Sequence, residues 1–243
     1  MFPFQAGLPG DLVVSLRAGL DQIVVFDVSL HAGLHVALGG GDDTFLLANV
    51  AVAGDLSVTS PRGDAQVRVQ DSAIARSLSV FTSGDGNNLT SLQNVAIGRN
   101  LSVTNSGGAD TVFVQGTTVA NTTNVGTGSG AGSIVVNRSL FTRHVLIHSR
   151  NGNDLIALLN TDFLGPVHLY AGNQDDVLGN TSGNRFAFDT EFFAGPGNDT
   201  LADDGTGTYG RTGDISSFEI EDESTLTNLI DIALSSFDDL LLH

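Results

Sequence analysis

A run of near-equal spacings limits what this chain can fold into. A turn residue recurs as Asp21, Asp43, Asp64, Asn88, Asp110, Gly132, Asp154, Asp176 and Asp199, at intervals of 22, 21, 24, 22, 22, 22, 22 and 23 residues. Gly stands two places earlier in seven of these nine turns, from Gly19 to Gly197. Apolar columns share the register. Ile23, Phe45, Val112, Ile134, Ile156, Leu178 and Leu201 lie two places after the turn residue. Later in each repeat comes a column of Leu12, Leu34, Leu56, Leu78, Leu101, Thr123, Val145 and Val167, with Val14, Val36, Val58, Val80, Val103, Val125, Ile147 and Leu169 two residues on. Between the two sets stand Leu30, Val52, Ile74, Ile97, Val119, Phe141 and Phe163.

Apolar and polar residues alternate within these short segments, which is the period of a β-strand. Each repeat therefore holds two short strands and a third between them. A unit of about 22 residues cannot bury its own apolar face, but stacked units hide every column in one continuous interior. The expected fold is all-β: a single-stranded parallel β-helix of about nine coils, roughly 40 Å long at ~4.8 Å per coil. Right-handed winding is expected from the general hand of parallel crossovers. A β-sandwich of short strands would not demand one register held through nine repeats.

A further column reads Asp27, Asn49, Asp71, Asn94, Gly116, Arg138 and Asn160. Asn, Asp and Gly tolerate a left-handed backbone, and stacked amides can hydrogen-bond from coil to coil. This column resembles the asparagine ladder of pectate-lyase-like β-helices, with Arg138 as its break. We assign the β-helix to 1–205 and a loop or linker to 206–223, on the loop-like composition of DDGTGTYGRTGD at 203–214. An amphipathic capping helix is expected within 224–243. Leu226, Leu229, Ile230, Ala233, Leu234 and Phe237 recur there at helical spacing, behind a plausible Ser224 N-cap. The expectation is that this helix covers the last coil, where an open sheet edge would otherwise be exposed.

The turns carry the chemical signal. LGGGDDTFL (38–46) and AGPGNDTLA (194–202) come within one residue of G-G-x-G-x-D-x-U-x, and RNGNDLIAL (150–158) and AGNQDDVLG (171–179) are looser matches. They resemble the nonapeptide of hemolysin-type (RTX) secreted proteins, a calcium-binding β-helix repeat. The resemblance covers one turn per coil, whereas an RTX roll places such a turn on both sides of a shorter coil. Gly132 and Asn88 replace the Asp, and Gln174 replaces a Gly. Stacked Asp carboxylates about 5 Å apart repel by roughly 1 kcal/mol in water and ~3 kcal/mol at an effective dielectric of 20. A shared Ca²⁺, which takes six to eight oxygens, would remove that repulsion. The candidate metal ligands are Asp43, Asp154, Asp176 and Asp199. The alternative is a solvated Asp-Gly turn with no ion.

Pectate-lyase-like helices often host polysaccharide lyases and hydrolases, so outward positions on the strands need inspection. Most are Ser, Thr or Asn, as at Ser57, Ser79, Ser102, Thr59, Thr104 and Asn124. In coils six and seven they become His144, Leu146, His148, His168 and Tyr170, with Arg143 and Arg150 nearby. His148, His168, Tyr170 and Arg150 are the candidate residues of an enzymatic or carbohydrate-binding face. His148 is expected beside Tyr170, and Leu146 beside His168. His144 and His148 lie about 13 Å apart along one strand, too far to chelate one metal. No paired acids and base gather on this face, and the spacing leaves no room for the long loops that make a cleft.

Composition narrows the remainder. The net charge is −17, all ten basic residues are Arg, and there is no Cys. This argues against nucleic-acid binding through a basic face and excludes disulfides and thiolate chemistry. No apolar run approaches the ~18 residues of a membrane-spanning helix, so membrane insertion is not expected. No secretory signal pattern opens the chain at MFPFQAGLPG. The expected role is a non-catalytic, extracellular or cell-surface structural or adhesive module, with Ca²⁺ along one turn edge. Its partners would be a cell-surface or matrix polysaccharide, or other copies of the rod. The alternative is a carbohydrate-active enzyme or carbohydrate-binding β-helix.

Overall fold

The computed structural model describes residues 10–181, 183–204, 207–210, 214–216 and 220–221. The first coil contains β1 (Leu12–Ser15), β2 (Gln22–Phe26) and β3 (Ser29–Leu30). Each later coil repeats that order, and every strand pairs in parallel with its counterpart in the next coil. Three sheets result: a first and a second of ten strands each, and a third of nine two-residue strands. The chain is the all-β parallel solenoid that its repeat predicts. The files of like residues are real: Leu56, Leu78 and Leu101 are consecutive partners in the first sheet.

The strand period explains the interior. In the second sheet, Phe45 and Leu47 face inward and are fully buried, as are Val67 and Val69 one coil above. The first sheet contributes Leu34, Val36, Leu56 and Val58, and the third contributes Val52, Ile74 and Ile97. These columns form one cluster running the length of the described coils. From coil six the third-sheet file turns aromatic. Phe141 stacks on Phe163 at 5.5 Å, Phe163 on Phe186 at 5.0 Å, and Phe186 on Tyr209 at 5.1 Å.

Two corners bend the coil between strands. At the first, Asp27, Asn49, Asp71, Asn94, Arg138 and Asn160 all have φ between 46° and 54°, and Gly116 has φ 59°. The column expected to be left-handed is therefore left-handed throughout, Arg138 included. Its side-chain rungs are intermittent and exposed: Asn49 donates to Asp27 at 2.6 Å, and Asn94 to Asp71 at 2.9 Å. At the other corner the Gly-Asp turns stack tightly. Gly41 has φ 123°, and a Cβ there would overlap the carbonyl oxygen of Gly19 below.

The stretch read as a linker, 206–223, instead carries strands at Thr208–Tyr209, Asp214–Ser216 and Ile220–Glu221, which extend all three sheets. Composition alone marks it as loop because Gly and Thr are also tolerated at the ends of short strands. The amphipathic helix expected in 224–243 lies outside the described residues.

Candidate functional site

The Gly-Asp turns build a file of carboxylates inside the corner, not on its rim. Asp43 opens a strand in which it, Phe45 and Leu47 all face inward. Asp43, Asp110, Asp154, Asp176 and Asp199 are each no more than 3% exposed. Each side chain caps the main chain of the coil before it. The N–H of Asp21 donates to Asp43 Oδ1 at 3.0 Å, that of Asp154 to Asp176 Oδ1 at 2.8 Å, and that of Asp176 to Asp199 Oδ1 at 2.8 Å. Gly132 donates likewise to Asp154. The second oxygens of Asp43, Asp154 and Asp176 are buried and carry no hydrogen bond.

Burial makes Asp43, Asp110, Asp154 and Asp176 weak acids. Desolvation raises the Asp154 pKa to about 6, outweighing the hydrogen bond from Gly132. It raises Asp176 to about 7, helped by the charges of Asp154, Asp199 and Asp175. Asp43 and Asp110 are also raised, mainly by burial. In coil four the file holds an amide instead. Asn88 Oδ1 accepts the Ala65 N–H at 3.1 Å, and its Nδ2 donates to Gly86 O and to Asp110 Oδ1, both at 2.9 Å.

Asp64 does not belong to this file. Asp43 pairs with Ala65, because Phe45 registers on Val67. Asp64 stands in a second, exposed file on the rim. There Asp42 accepts the N–H of Asp64 at 3.0 Å, Asp64 that of Asn87 at 2.8 Å, and Asp175 that of Asn198 at 2.9 Å. Among the described residues, no three His, Asp or Glu side chains converge as ligands of one cation. The inner file offers one uncommitted oxygen per coil at Asp43, Asp154 and Asp176.

A third buried file escapes the sequence reading. Ser139 Oγ accepts the Thr117 N–H, Thr161 Oγ1 that of Ser139, and Asn184 Oδ1 that of Thr161. The hydroxyls of Thr117, Ser139 and Thr161 donate back to the carbonyls two residues earlier. The available signal is a small hydroxyl residue directly after the left-handed position.

On the outer face of the first sheet, Leu146 registers with His168, and His148 with Tyr170, as expected. The next coil adds Glu191 and Phe193, which the sequence reading missed. His168 Nδ1 lies 2.7 Å from Glu191 Oε2, and the His144 and His168 rings are 4.8 Å apart. Tyr170 stacks flat on Phe193 at 5.3 Å. Gly126 lies below His148, and a Cβ there would overlap the imidazole. The His148 pKa is lowered by burial and then by the Arg150 charge, both of which favour the neutral ring. The face thus joins His168 to a carboxylate and His148 to an aromatic pair. Tyr170 and Phe193 turn their ring faces to each other.

Comparison with family models, with curated proteins and with solved structures found no match for this chain.

Proposed function

We propose that this chain is a non-catalytic structural or adhesive β-solenoid module of an extracellular or cell-surface protein. The observation that carries this reading is the regularity of the coil. Register is kept from β1 to Ile220–Glu221, and among the described residues no long insertion separates the strands to wall off a cleft. A rod with three flat sides suits side-by-side contacts with a polysaccharide or with its own copies. The absence of Cys, the lack of Lys and the net charge of −17 fit a solvated outer surface. Incubation with a panel of acidic and neutral polysaccharides tests this. Binding or bundling without new reducing ends or unsaturated uronic products is expected. Turnover that disappears in His168→Ala would overturn it.

Calcium along the turn edge is the separable part of this reading. The unbonded Oδ2 atoms of Asp43, Asp154 and Asp176 support it, and protons on the same carboxylates are the competing account. Thermal melting at pH 8 with and without millimolar Ca²⁺ divides the two. A rise in melting temperature with Ca²⁺ follows if the native state binds the ion. A melting temperature that responds to pH but not to Ca²⁺ assigns the file to protons.

The second reading, a carbohydrate-active face, draws on the His168–Glu191 contact, since a carboxylate on Nδ1 orients an imidazole for acid–base work. The polysaccharide panel decides between them.

A further inference from the structure

Two imidazoles and a carboxylate meet on the outer face of the first sheet, and the register explains how. Strand Val145–His148 pairs with Val167–Tyr170, and that strand pairs with Thr190–Phe193. Alternation sends Val167 and Leu169 inward and His168 between them outward. Glu191 registers on His168 one coil further along. His144 stands just before the strand of the preceding coil, two residues from Leu146, which registers with His168. It therefore shares the outward side and reaches His168 on the diagonal. Earlier in the same file stand Ser57, Ser79, Ser102 and Asn124, which are poor ligands for transition metals.

The geometry is that of a braced ligand pair. His168 Nδ1 lies 2.7 Å from Glu191 Oε2. An ionised carboxylate only accepts, so Nδ1 donates and Nε2 keeps its lone pair, the form in which a neutral imidazole binds a metal. Metal-ligating histidines almost always place a carboxylate, carbonyl or water on the other ring nitrogen, which fixes the ring and raises its basicity. The second ring stands at a fitting distance. Two imidazoles sharing one ion, at ~2.1 Å per metal–nitrogen bond and about 90–110° between the bonds, have ring centres roughly 4.6–5.3 Å apart. The His144 and His168 centres are 4.8 Å apart. Their planes meet at 44°, whereas Tyr170 and Phe193 on the same face lie flat together at 6°. The two imidazoles are therefore not a face-to-face stack.

We propose that His144 and His168 form a surface site for a divalent late transition metal ion such as Zn²⁺ or Cu²⁺, with Glu191 bracing His168 and water filling the remaining positions. Both rings stand on fixed backbone, which keeps the pair in place before the ion arrives. His168 lies in a strand paired on both sides. The His144 carbonyl accepts the Thr123 N–H at 3.0 Å, and the next N–H, of Val145, donates to Pro166 O at 2.9 Å. Water has access, since His144 is exposed and the His168 and Glu191 side chains are 30% and 40% exposed. Two protein ligands agree with the lack, among the described residues, of three converging His, Asp or Glu side chains. The donors set the class of ion. Imidazole nitrogen suits Zn²⁺, Ni²⁺ and Cu²⁺, with Cu²⁺ held most tightly, while Ca²⁺ and Mg²⁺ take oxygen. The site is thus separate in place and chemistry from the carboxylate file inside the corner, and it stands whether or not that file takes Ca²⁺. His148 is no part of it, because it registers with Tyr170 and its ring lies over Gly126.

Calorimetric titration of the full chain with ZnCl₂ at pH 7.5 tests the assignment. One saturable site in the micromolar range is expected. It should be lost in His144→Ala and in His168→Ala, and be about tenfold weaker in Glu191→Gln. His35→Ala, in the same outward file, should keep it. All four positions lie on the outer face, and circular dichroism confirms each fold. Electron paramagnetic resonance of the wild type with less than one equivalent of Cu²⁺, supplied as its glycine complex, gives a reading that needs no variant. Coupling to two equatorial imidazole nitrogens is expected. The proposal is overturned by a wild type that shows no saturable Zn²⁺ binding, by a site that survives in either His variant, or by Cu²⁺ bound through one imidazole or none.

Discussion

In the first five coils the third-sheet file is aliphatic, Leu30, Val52, Ile74, Ile97 and Val119, while in the last four it is Phe141, Phe163, Phe186 and Tyr209. The corner file changes with it. Toward the N-terminus it reads Asp21, Asp43, Ala65 and Asn88, so acids are interrupted by an alanine and an amide. Toward the C-terminus Asp154, Asp176 and Asp199 follow one another without a break. One backbone path thus tolerates two interiors. The N-terminal coils rest on shape-tolerant aliphatic packing and a corner whose acids are interrupted. The C-terminal coils combine ring stacking with buried acids that resist ionising. A solenoid's stability is close to a sum over coils and their interfaces, so the two halves should respond differently to the same kind of change.

The largest difference is expected in the core. Phe163 stacks on rings in the coils on either side, so Phe163→Ala empties a site that two neighbours share. A loss of about 4 kcal/mol is expected, against about 3 kcal/mol for Ile74→Ala in the same file. Because coil interfaces are the weak links, Phe163→Ala should also split urea unfolding into two steps, with amide-exchange protection lost first in coils six to nine. A uniform shift of one transition would mean that the halves unfold as one.

Next come exchanges between the two corner types. Asn88→Asp removes both Nδ2 hydrogen bonds and sets a carboxylate against Asp110. At pH 8 it should cost about 3 kcal/mol. Asp176→Asn makes the opposite change, installing the amide that coil four already uses. The raised native pKa means that folded Asp154 and Asp176 hold protons between about pH 4 and pH 7 that the unfolded chain releases. Their contribution is therefore fully present below about pH 4 and is lost progressively as pH rises, the loss being complete once pH passes about 6 to 7. Asp176→Asn should gain at least about 2 kcal/mol at pH 8 and almost nothing at pH 3.5, below the unfolded pKa. Wild-type melting temperatures should fall between these two pH values, and the variant should flatten that slope. An equal effect at both pH values would show that Asp176 stays ionised in the folded chain.

The solenoid was legible because its apolar columns repeat with the coil, and those columns set register. The corner was less legible for a related reason. Matching turn residues by identity selects Asp64, but burying Val67 above Phe45 places Ala65 in the file and moves Asp64 to the rim. The inward aim of Asp43 could have been read from parity with Phe45 and Leu47. Its metal-like composition drew attention to the edge instead. The hydroxyl file of Thr117, Ser139 and Thr161 was hidden because Ser and Thr are equally at home in exposed turns. Glu191 and Phe193 were one coil beyond His168 and Tyr170, so extending the register by 23 residues would have found them.

The smallest effects belong to the outer face, where the halves again offer a matched pair. His35 and His168 occupy the same outward file of the first sheet. His35 Nε2 lies 3.5 Å from Asp11 Oδ2, and both side chains are well exposed. His168 holds Glu191 at 2.7 Å with less exposure. Water screens the first pair more completely. Glu191→Gln is therefore expected to cost about 0.5 kcal/mol in low salt, and Asp11→Asn about 0.2 kcal/mol. Both costs should fade in 1 M NaCl, where the Debye length drops to ~3 Å. If the Glu191→Gln cost survives high salt, the short contact acts through hydrogen-bond geometry and not through charge. That outcome would favour the reading in which Glu191 orients His168 for a ligand over the reading in which the pair only decorates a rod.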